Sequence, residues 1–484
     1  MDTERSESAA HVLLLPFPAQ GHITPMLSFA QLLGHAGIHV TFLNTEHNHR
    51  LLTQRHALSA RFPTLHFESL PDGLPPDCPR SIPPIIDMVS SLRSVTKPLL
   101  RDLLITLTKK DEESYGSTST RRPPLSCVIM DEIMCFAIDV AEQVGVPAMA
   151  ITVISGCGYW SYSCIPNLIQ QGHVPFTDED MDKQSSDIPG MEGLLRRRDL
   201  PGFCRFSIDH PVTKIFMEVI KAITRASALI INTFDGLEAS ILSHIATLFP
   251  QVYAIGPVHA LVKSRVGDGL SSSASLRQED RRCMAWLDSK QVGSVIYVSF
   301  GSLVELTHDQ LFEFWHGLVS CGKQFLWVVR SDMISGEQGE HVIPTELKMG
   351  TKERGLIVEW APQEEVLAHK AVGGFLTQCG WNSILEGIWA GVPMLCWPRL
   401  AEQLVTSRWI GEVWRIGIDM KDTCERSMVE KMIRRLMEEG DEREQILRSV
   451  ERFSKLARGA VTEGGSSYNN LDKLIQDLRN SNDV

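Results

Sequence analysis

The sequence predicts an α/β protein of two domains, each built on a parallel, doubly wound sheet of the Rossmann kind. Three observations lead there. At 484 residues the chain exceeds what one hydrophobic core covers and suits two domains of about 200 residues or more. Short, continuous apolar runs, the mark of strands buried on both faces, alternate with segments of helical period. That alternation breaks off at VKSRVGDGLSSSASLRQEDRR, a Ser/Gly-rich stretch of mixed charge without apolar period, and then restarts. The expected boundaries are a first domain over 1–258, a linker over 259–282 and a second domain over 283–459.

Composition narrows the class. Hydrophobic content of 43% and charged content of 22% are those of a globular chain. A net charge of −12 argues against nucleic acid as a partner, whose phosphates it would repel. The opening MDTERSESAA is polar and acidic, and the apolar run after it is interrupted by Pro16 and Pro18, so no signal peptide is expected. No stretch reaches the roughly 18 apolar residues of a membrane span. The eleven cysteines lack CxxC spacing, and Cys127, Cys135 and Cys396 fall in apolar segments. Buried thiols fit better than disulfides or zinc, and the expected location is the cytoplasm.

Taken in order, HVLLLPFP is a buried strand feeding AQGHITPMLSFAQLLGHAG. There Pro25 sits near the first turn, and Met26, Phe29, Leu32 and Leu33 recur at helical spacing. Gly37 ends the helix and HVTFLNT is the next strand. This βαβ opening lacks GxGxxG, so a dinucleotide-dependent oxidoreductase is not supported. His22 falls at the helix start, on the carboxyl edge of the sheet. A helix N-terminus disfavours imidazolium and keeps a His neutral, as a general base must be; a capping or solvated His is the other reading. His11, His35, His39, His47 and His49 have no such setting and read as structural or exposed.

A proline-rich segment, an amphipathic helix over Ile85–Thr108 and a mobile polar loop, KKDEESYGSTSTRRPP, precede LSCVIMDEIM. That strand ends in Asp131 at the same edge as His22. Asp131 suits orienting an imidazole and stabilising its charged form, or capping a helix; Glu132 is the weaker stand-in. AEQVGVPAMAITVISGCGYWSYS is a strand and an aromatic-rich helix start. The run Arg196, Arg197, Arg198 reads as a solvated face. SALIINTFDGLEAS and VYAIGPV are the last strands of the first domain. After the linker, CMAWLDSKQVGSVIYVSFGSLVEL gives a helix, a strand and a Gly301-Ser302 turn. GLVSCGKQ nearly spells a P-loop but lacks the final Ser/Thr and runs from helix to strand, so it is a helix exit.

The informative stretch is WAPQEEVLAHKAVGGFLTQCGWNSILEGIWAGVPMLCWPRLAEQ, Trp360 to Gln403. It reads as two βα units. Cys379-Gly380-Trp381-Asn382-Ser383 opens a helix whose unpaired N–H groups and positive dipole end point at the carboxyl edge of the sheet. Such a terminus binds an anion, most commonly phosphate. Glu402 and Gln403 fall on the next loop at that edge, where ligands of open α/β sheets sit.

Nearly position for position, this stretch resembles the signature box of plant family-1 UDP-glycosyltransferases, and PFPAQGH is similar to the family segment that ends in its catalytic base. The resemblance implies a GT-B fold, two facing Rossmann-like domains with parallel sheets, and a C-terminal helix over 460–484 packing back on the first. It implies that Trp360 stacks on uracil, the Ala361 backbone pairs with its edge, and Gln363 and Glu386 hold the ribose. Gly380, Asn382, Ser383 and the helix terminus would take the diphosphate, which the Ser302 turn faces. Trp381, Glu402 and Gln403 would take the sugar hydroxyls. A closing Gln goes with glucose, so UDP-glucose is the implied co-substrate, with no cofactor, no metal and a monomeric enzyme. His22 and Asp131 become base and partner.

Thr152, Ser155, Tyr159 and Trp160 fall where the family lines its acceptor pocket, the aromatics suiting a plain core equally. Arg399 replaces an apolar residue and either meets an acidic acceptor or points to solvent. One donor position departs: Gln378 stands where the family has a His that donates to a phosphate. Gln donates without charge, and charge-assisted bonds are roughly twice as strong, so a working but weakened donor site is expected. Segments such as NTEHNHRLL, LLRRRDLPG and GPVHALVKSR look most like the terpenoid-active branch. The expected activity is inverting glucosyl transfer to a hydroxyl or carboxyl of a small lipophilic metabolite, a terpenoid first. A flavonoid or other phenol, and a donor-impaired UDP-sugar binder, are the alternatives.

Overall fold

Seven strands, β1 (His11–Leu15), β2 (His39–Thr45), β3 (Leu65–Leu70), β4 (Cys127–Asp131), β5 (Ala148–Thr152), β6 (Leu229–Ile231) and β7 (Val252–Ala254), form one sheet in the order β3-β2-β1-β4-β5-β6-β7. Every pairing in it is parallel. A second parallel sheet takes β8 (Val295–Ser299), β10 (Gln324–Val328), β12 (Gly355–Val358), β13 (Val372–Thr377), β14 (Met394–Cys396) and β15 (Gly417–Asp419), in the order β12-β10-β8-β13-β14-β15. β9 (Leu306–Thr307) and β11 (Ile334–Ser335) form a separate two-stranded ladder. These assignments come from a computed structural model that describes residues 10–480 apart from 53, 76–77, 79, 81–84, 110–121, 186, 268–275, 336–346, 348–350, 352–353 and 422.

Both sheets have the doubly wound order, in which the third, second and first strands lie on one side and the fourth onward on the other. The direction of winding reverses between β1 and β4 in one and between β8 and β13 in the other. A crevice opens at such a reversal because the loops leaving the two strands turn to opposite faces. Register brings their carboxyl ends level: Leu15 lies opposite Met130, and Ser299 opposite Thr377. The strands at both reversals, β1, β4, β8 and β13, are buried along their whole length, as expected where helices cover both faces of a sheet.

The chain divides into two compact units, 1–153 with 208–276 and 459–484, and 154–207 with 277–458. Residues 154–207, expected in the first domain, thus belong with the second sheet. The helix Gly156–Gln170 packs on the helix Gln403–Glu412, and Ser155 Oγ lies 2.8 Å from Thr406 Oγ1. The approach is close enough that a Cβ on Gly158 would stand 2.6 Å from that of Glu402. The Arg run is not a solvated face either. Arg196 pairs with Asp199, Arg197 with Asp180 and Arg198 with Asp182, each arginine being less than a third exposed. Asp199 is fully buried and also meets Lys421 Nζ at 2.6 Å, which in turn meets Asp419 at 2.9 Å.

Part of the expected linker is helical: Val258–Val266 buries Val258, Ala260, Leu261 and Val262 and packs on the helix Gln20–His35. The rest of its Ser/Gly-rich run, 268–275, lies outside the described residues, as do 110–121 of the polar loop. The expected helix Ile85–Thr108 comes as Ile85–Ser91, a π turn Leu92–Thr96 and Lys97–Thr108. Pro98 at the junction has no N–H for the turn behind it, so the hydrogen-bond ladder changes register there. GLVSCGKQ is the exit of the helix His308–Ser320, with β10 beginning at Gln324. The last helix, Ser466–Asn480, lies in the first unit, where Asn470 Nδ2 donates to the Ala254 carbonyl at 2.9 Å and Arg479 to that of Ala36 at 2.8 Å. Among the described residues no helix is long and apolar enough to cross a membrane.

Candidate active site

In the first unit the reversal point holds His22 and Asp131. His22 enters on the first turn of the helix Gln20–His35, directly after β1, and Asp131 is the last residue of β4. His22 Nδ1 lies 2.6 Å from Asp131 Oδ2, with the side chains 16% and 0% exposed. A carboxylate only accepts, so the ring proton sits on Nδ1 and Nε2 is the basic nitrogen. The other carboxylate oxygen, Oδ1, accepts the Ile133 N–H at 3.0 Å. Capping and histidine-orienting are therefore both done by Asp131, one oxygen each, whereas Glu132 begins the short turn that Asp131 caps. Phe17 meets the imidazole edge-on at 5.2 Å.

In the second unit the corresponding reversal collects the Trp360–Gln403 stretch and the Gly301-Ser302 turn. The helix Trp381–Ala390 starts after β13 with Gly380 as its N-cap and stops at Gly391, in the left-handed region at φ 74°. Cys379 just before it is left-handed too, at φ 69°, a strained geometry for a residue with a side chain. Gln363 Nε2 donates to Ser383 Oγ at 2.9 Å and to Glu386 Oε2 at 2.7 Å, while Tyr297 donates to Gln363 Oε1 at 3.2 Å. Three residues singled out from separate parts of the stretch are thus one cluster. The Trp360 carbonyl accepts from the Asp280 N–H at 2.8 Å, and Ala361 beside it is buried. Trp381 packs against Trp414 at 6.0 Å between centroids; Asn382 is half-buried. Glu402 is buried, and Gln403 Oε1 accepts the N–H groups of Arg399 and Leu400 at 3.1 and 3.0 Å. Gln378 is buried against the Ser302 turn: a Cβ on Gly301 would lie 2.1 Å from its Nε2.

The acceptor candidates separate. Ser155 is buried, its hydroxyl accepting the Gly158 N–H at 3.0 Å and lying 2.8 Å from Thr406 Oγ1. Trp160 is buried and donates to the Pro189 carbonyl at 2.8 Å, and Tyr159 is buried beside it. Thr152 is buried with no hydrogen-bond partner for its hydroxyl. Arg399 is exposed, its guanidinium 4.6 Å over the Trp397 ring. Among the described residues no group of three His, Cys, Asp or Glu could hold a metal ion.

The model of the UDP-glucoronosyl and UDP-glucosyl transferase family matches residues 209–451. Along nearly its whole length the chain is similar to 7-deoxyloganetic acid glucosyltransferase of Catharanthus roseus, 45% identical over 487 residues that cover 99% of both chains. The chain belongs to the UDP-glycosyltransferase family. It is also 46% identical to mogroside I-A1 synthase of Siraitia grosvenorii over 460 residues, 94% of this chain and 86% of the other. Among solved structures, Os79 of O. sativa in complex with UDP superposes with a TM-score of 0.82 at 28% identity, covering 96% of this chain and 100% of that one. The paired Rossmann-like sheets are those of the GT-B class.

One group in this glycosyltransferase was missed from the sequence. Arg330 is 2% exposed and donates to the carbonyls of Gly301 and Val304 and to Asp332. Burial pulls its pKa below the ordinary arginine value, against the pull of Asp332. Burial also works against ionisation of Asp332, yet Arg277 and Arg330 hold that carboxyl below its usual range. A signal existed: the apolar run FLWVV ends in a charged Arg330 at the carboxyl edge of a strand, the same context that singled out Asp131.

Proposed function

We propose that this UDP-glycosyltransferase moves glucose from UDP-glucose to a hydroxyl or carboxyl of a small lipophilic terpenoid, with inversion at the anomeric carbon. The reading is carried by the His22–Asp131 pair, buried at one reversal point, in a chain whose other reversal point carries the family's donor stretch. The acceptor oxygen attacks the anomeric carbon as its proton passes to His22 Nε2, and the bond from that carbon to the diphosphate oxygen breaks with UDP as leaving group. Asp131 holds the ring in the tautomer that leaves Nε2 basic and stabilises the imidazolium as it forms.

Trp360 and Ala361 take the uracil, Gln363 and Glu386 the ribose. The diphosphate falls to Gly380, Asn382, Ser383 and Ser302 at the helix terminus, where preorganised donors are usually the largest catalytic contribution. Gln403, held by its amide oxygen, offers its NH2 group to the sugar beside Trp381 and Glu402. Support for a terpenoid acceptor is the similarity to the Catharanthus and Siraitia enzymes. The enzyme works as a cytoplasmic monomer with no cofactor or metal; support for a reducing compartment is that its eleven cysteines are thiols, most of them buried.

The test is UDP release from UDP-glucose with a panel of terpenoid and phenolic acceptors, wild type against His22→Ala. Activity on a terpenoid that falls about 10²- to 10⁴-fold in the variant is expected, the range for losing a general base. Equal activity in both proteins would sink the role of His22, and turnover confined to phenols would move the acceptor class.

A further inference from the structure

Trp360 and the Gly301 turn sit on different loops, after β12 and after β8, yet one chain of charged side chains runs between them. The Arg277 guanidinium stands 5.6 Å over the Trp360 ring. Its Nη2 donates to Asp332 Oδ2 at 2.6 Å, and Asp332 Oδ1 accepts from Arg330 Nε at 2.8 Å. Arg330 then donates through Nη1 to the Gly301 carbonyl and through Nη2 to that of Val304 at 3.0 Å. All three nitrogens of this buried guanidinium are engaged, two of them on the turn that carries Ser302 and packs against Gln378. Burying a cation costs several kcal/mol unless its partners are well placed. Here those partners lie at the donor half-site and not in the general core. Asp332 and Glu305 both act on the Arg330 charge, and Arg277 opposes them.

We propose that Arg277, Asp332 and Arg330 are positioning residues for glucosyl transfer, a relay that sets the Gly301–Val304 turn against the Trp360 platform so that the uracil and the diphosphate of one UDP-sugar are gripped together. The inference rests on the donor reading given above. A turn already held at the right distance from the platform needs no ordering when the ligand arrives. Arg330 also sets a guanidinium behind the turn read as facing the leaving group, a charge the neutral Gln378 does not supply. Lysine cannot replace Arg330 in it, because one ammonium on a flexible stem lacks the planar fork that reaches two carbonyls and a carboxylate at once.

Titration calorimetry with uridine and with UDP separates the two ends of the relay, since uridine reads the platform and UDP reads platform and diphosphate turn. Arg330→Lys is expected to weaken UDP binding about tenfold, the loss of one charged hydrogen bond, with uridine binding and the acceptor KM unchanged and the KM for UDP-glucose raised. Arg277→Ala is expected to weaken uridine and UDP alike, and the double variant to lose less than the two single losses combined. Should Arg330→Lys fail to fold, Asp332→Asn, altered at a side chain 30% exposed, carries the same expectation as Arg330→Lys. UDP bound as tightly by Arg330→Lys as by wild type would overturn the relay. So would equal weakening of uridine and UDP in that variant together with a lowered melting temperature, which would mark Arg330 as a plain structural residue. A wild type that binds no UDP would overturn the donor reading itself.

Discussion

Gln378 and Gly301 show how tightly single residues are constrained at the proposed donor half-site. Gly301 sits at φ 68° with Gln378 Nε2 where its Cβ would be, so no other residue fits there without moving the amide. By the resemblance of TQCGWNS to the family signature, Gln378 stands in the place of an imidazole able to carry charge. Replacing a neutral donor with a charge-assisted one strengthens a hydrogen bond by about 1 kcal/mol or more. Gln378→His is therefore expected to lower the KM for UDP-glucose roughly five- to tenfold, read from initial rates at saturating acceptor; a raised KM would show that the turn has adapted to the amide. At this scale the sequence was most legible where one residue type has one chemistry. His22 and Asp131 could be paired because both follow apolar strands, and two such strand ends meet at a reversal of winding. The partners of Ser155 were not legible, because a hydroxyl that caps its own helix and one that meets a ligand leave the same letter in the sequence.

Strand β1 places His22, and it begins with a histidine that titrates with folding. His11 is fully buried, its ring nitrogens 2.9 Å from the Pro123 carbonyl and 2.9 Å from Thr41 Oγ1. Burial lowers its pKa from 6.5 to about 3, with the Pro123 carbonyl working the other way. Between those two values the unfolded chain binds a proton that the folded chain refuses, so stability falls as pH drops through this window. The slope is about 1.4 kcal/mol per pH unit. His39 and His66, lowered first by burial as well, act in the same direction. Melting temperatures taken at pH 7, 6 and 5 should fall steadily, and His11→Gln should flatten that fall at a cost in stability at pH 7. A fall of the same slope in the variant would remove His11 as its source. Element periodicity disclosed the strand but not this behaviour: a histidine opening an apolar run looks like a boundary residue until two neighbouring segments are seen to close over it.

The domain order of the whole molecule is not the order of the chain. Residues 154–207 pack with 277–458 through Ser155 and Thr406, Gly158 and Glu402, and the buried Asp199–Lys421 pair. A fragment 283–459, cut where the sequence suggests, would leave Lys421 without Asp199. Removing one partner of a buried pair costs about 3–5 kcal/mol, a large part of the roughly 5–15 kcal/mol that holds an ordinary domain together. That fragment is expected to show no cooperative urea transition and no UDP binding, while the full chain shows both. A fragment that melts cooperatively and binds UDP would make 154–207 dispensable. The sequence by itself determined the two parallel sheets and which residues, His22, Asp131 and the Trp360–Gln403 stretch among them, fall at strand ends and helix starts, because strand burial and helix starts are local patterns written along the chain. Only the tertiary structure decided which unit residues 154–207 join, that the arginine run is an ion-paired brace, and that Arg330 reaches Gly301. Those outcomes depend on partners far apart in sequence, and the apolar period of a helix states that one face is buried without saying against what.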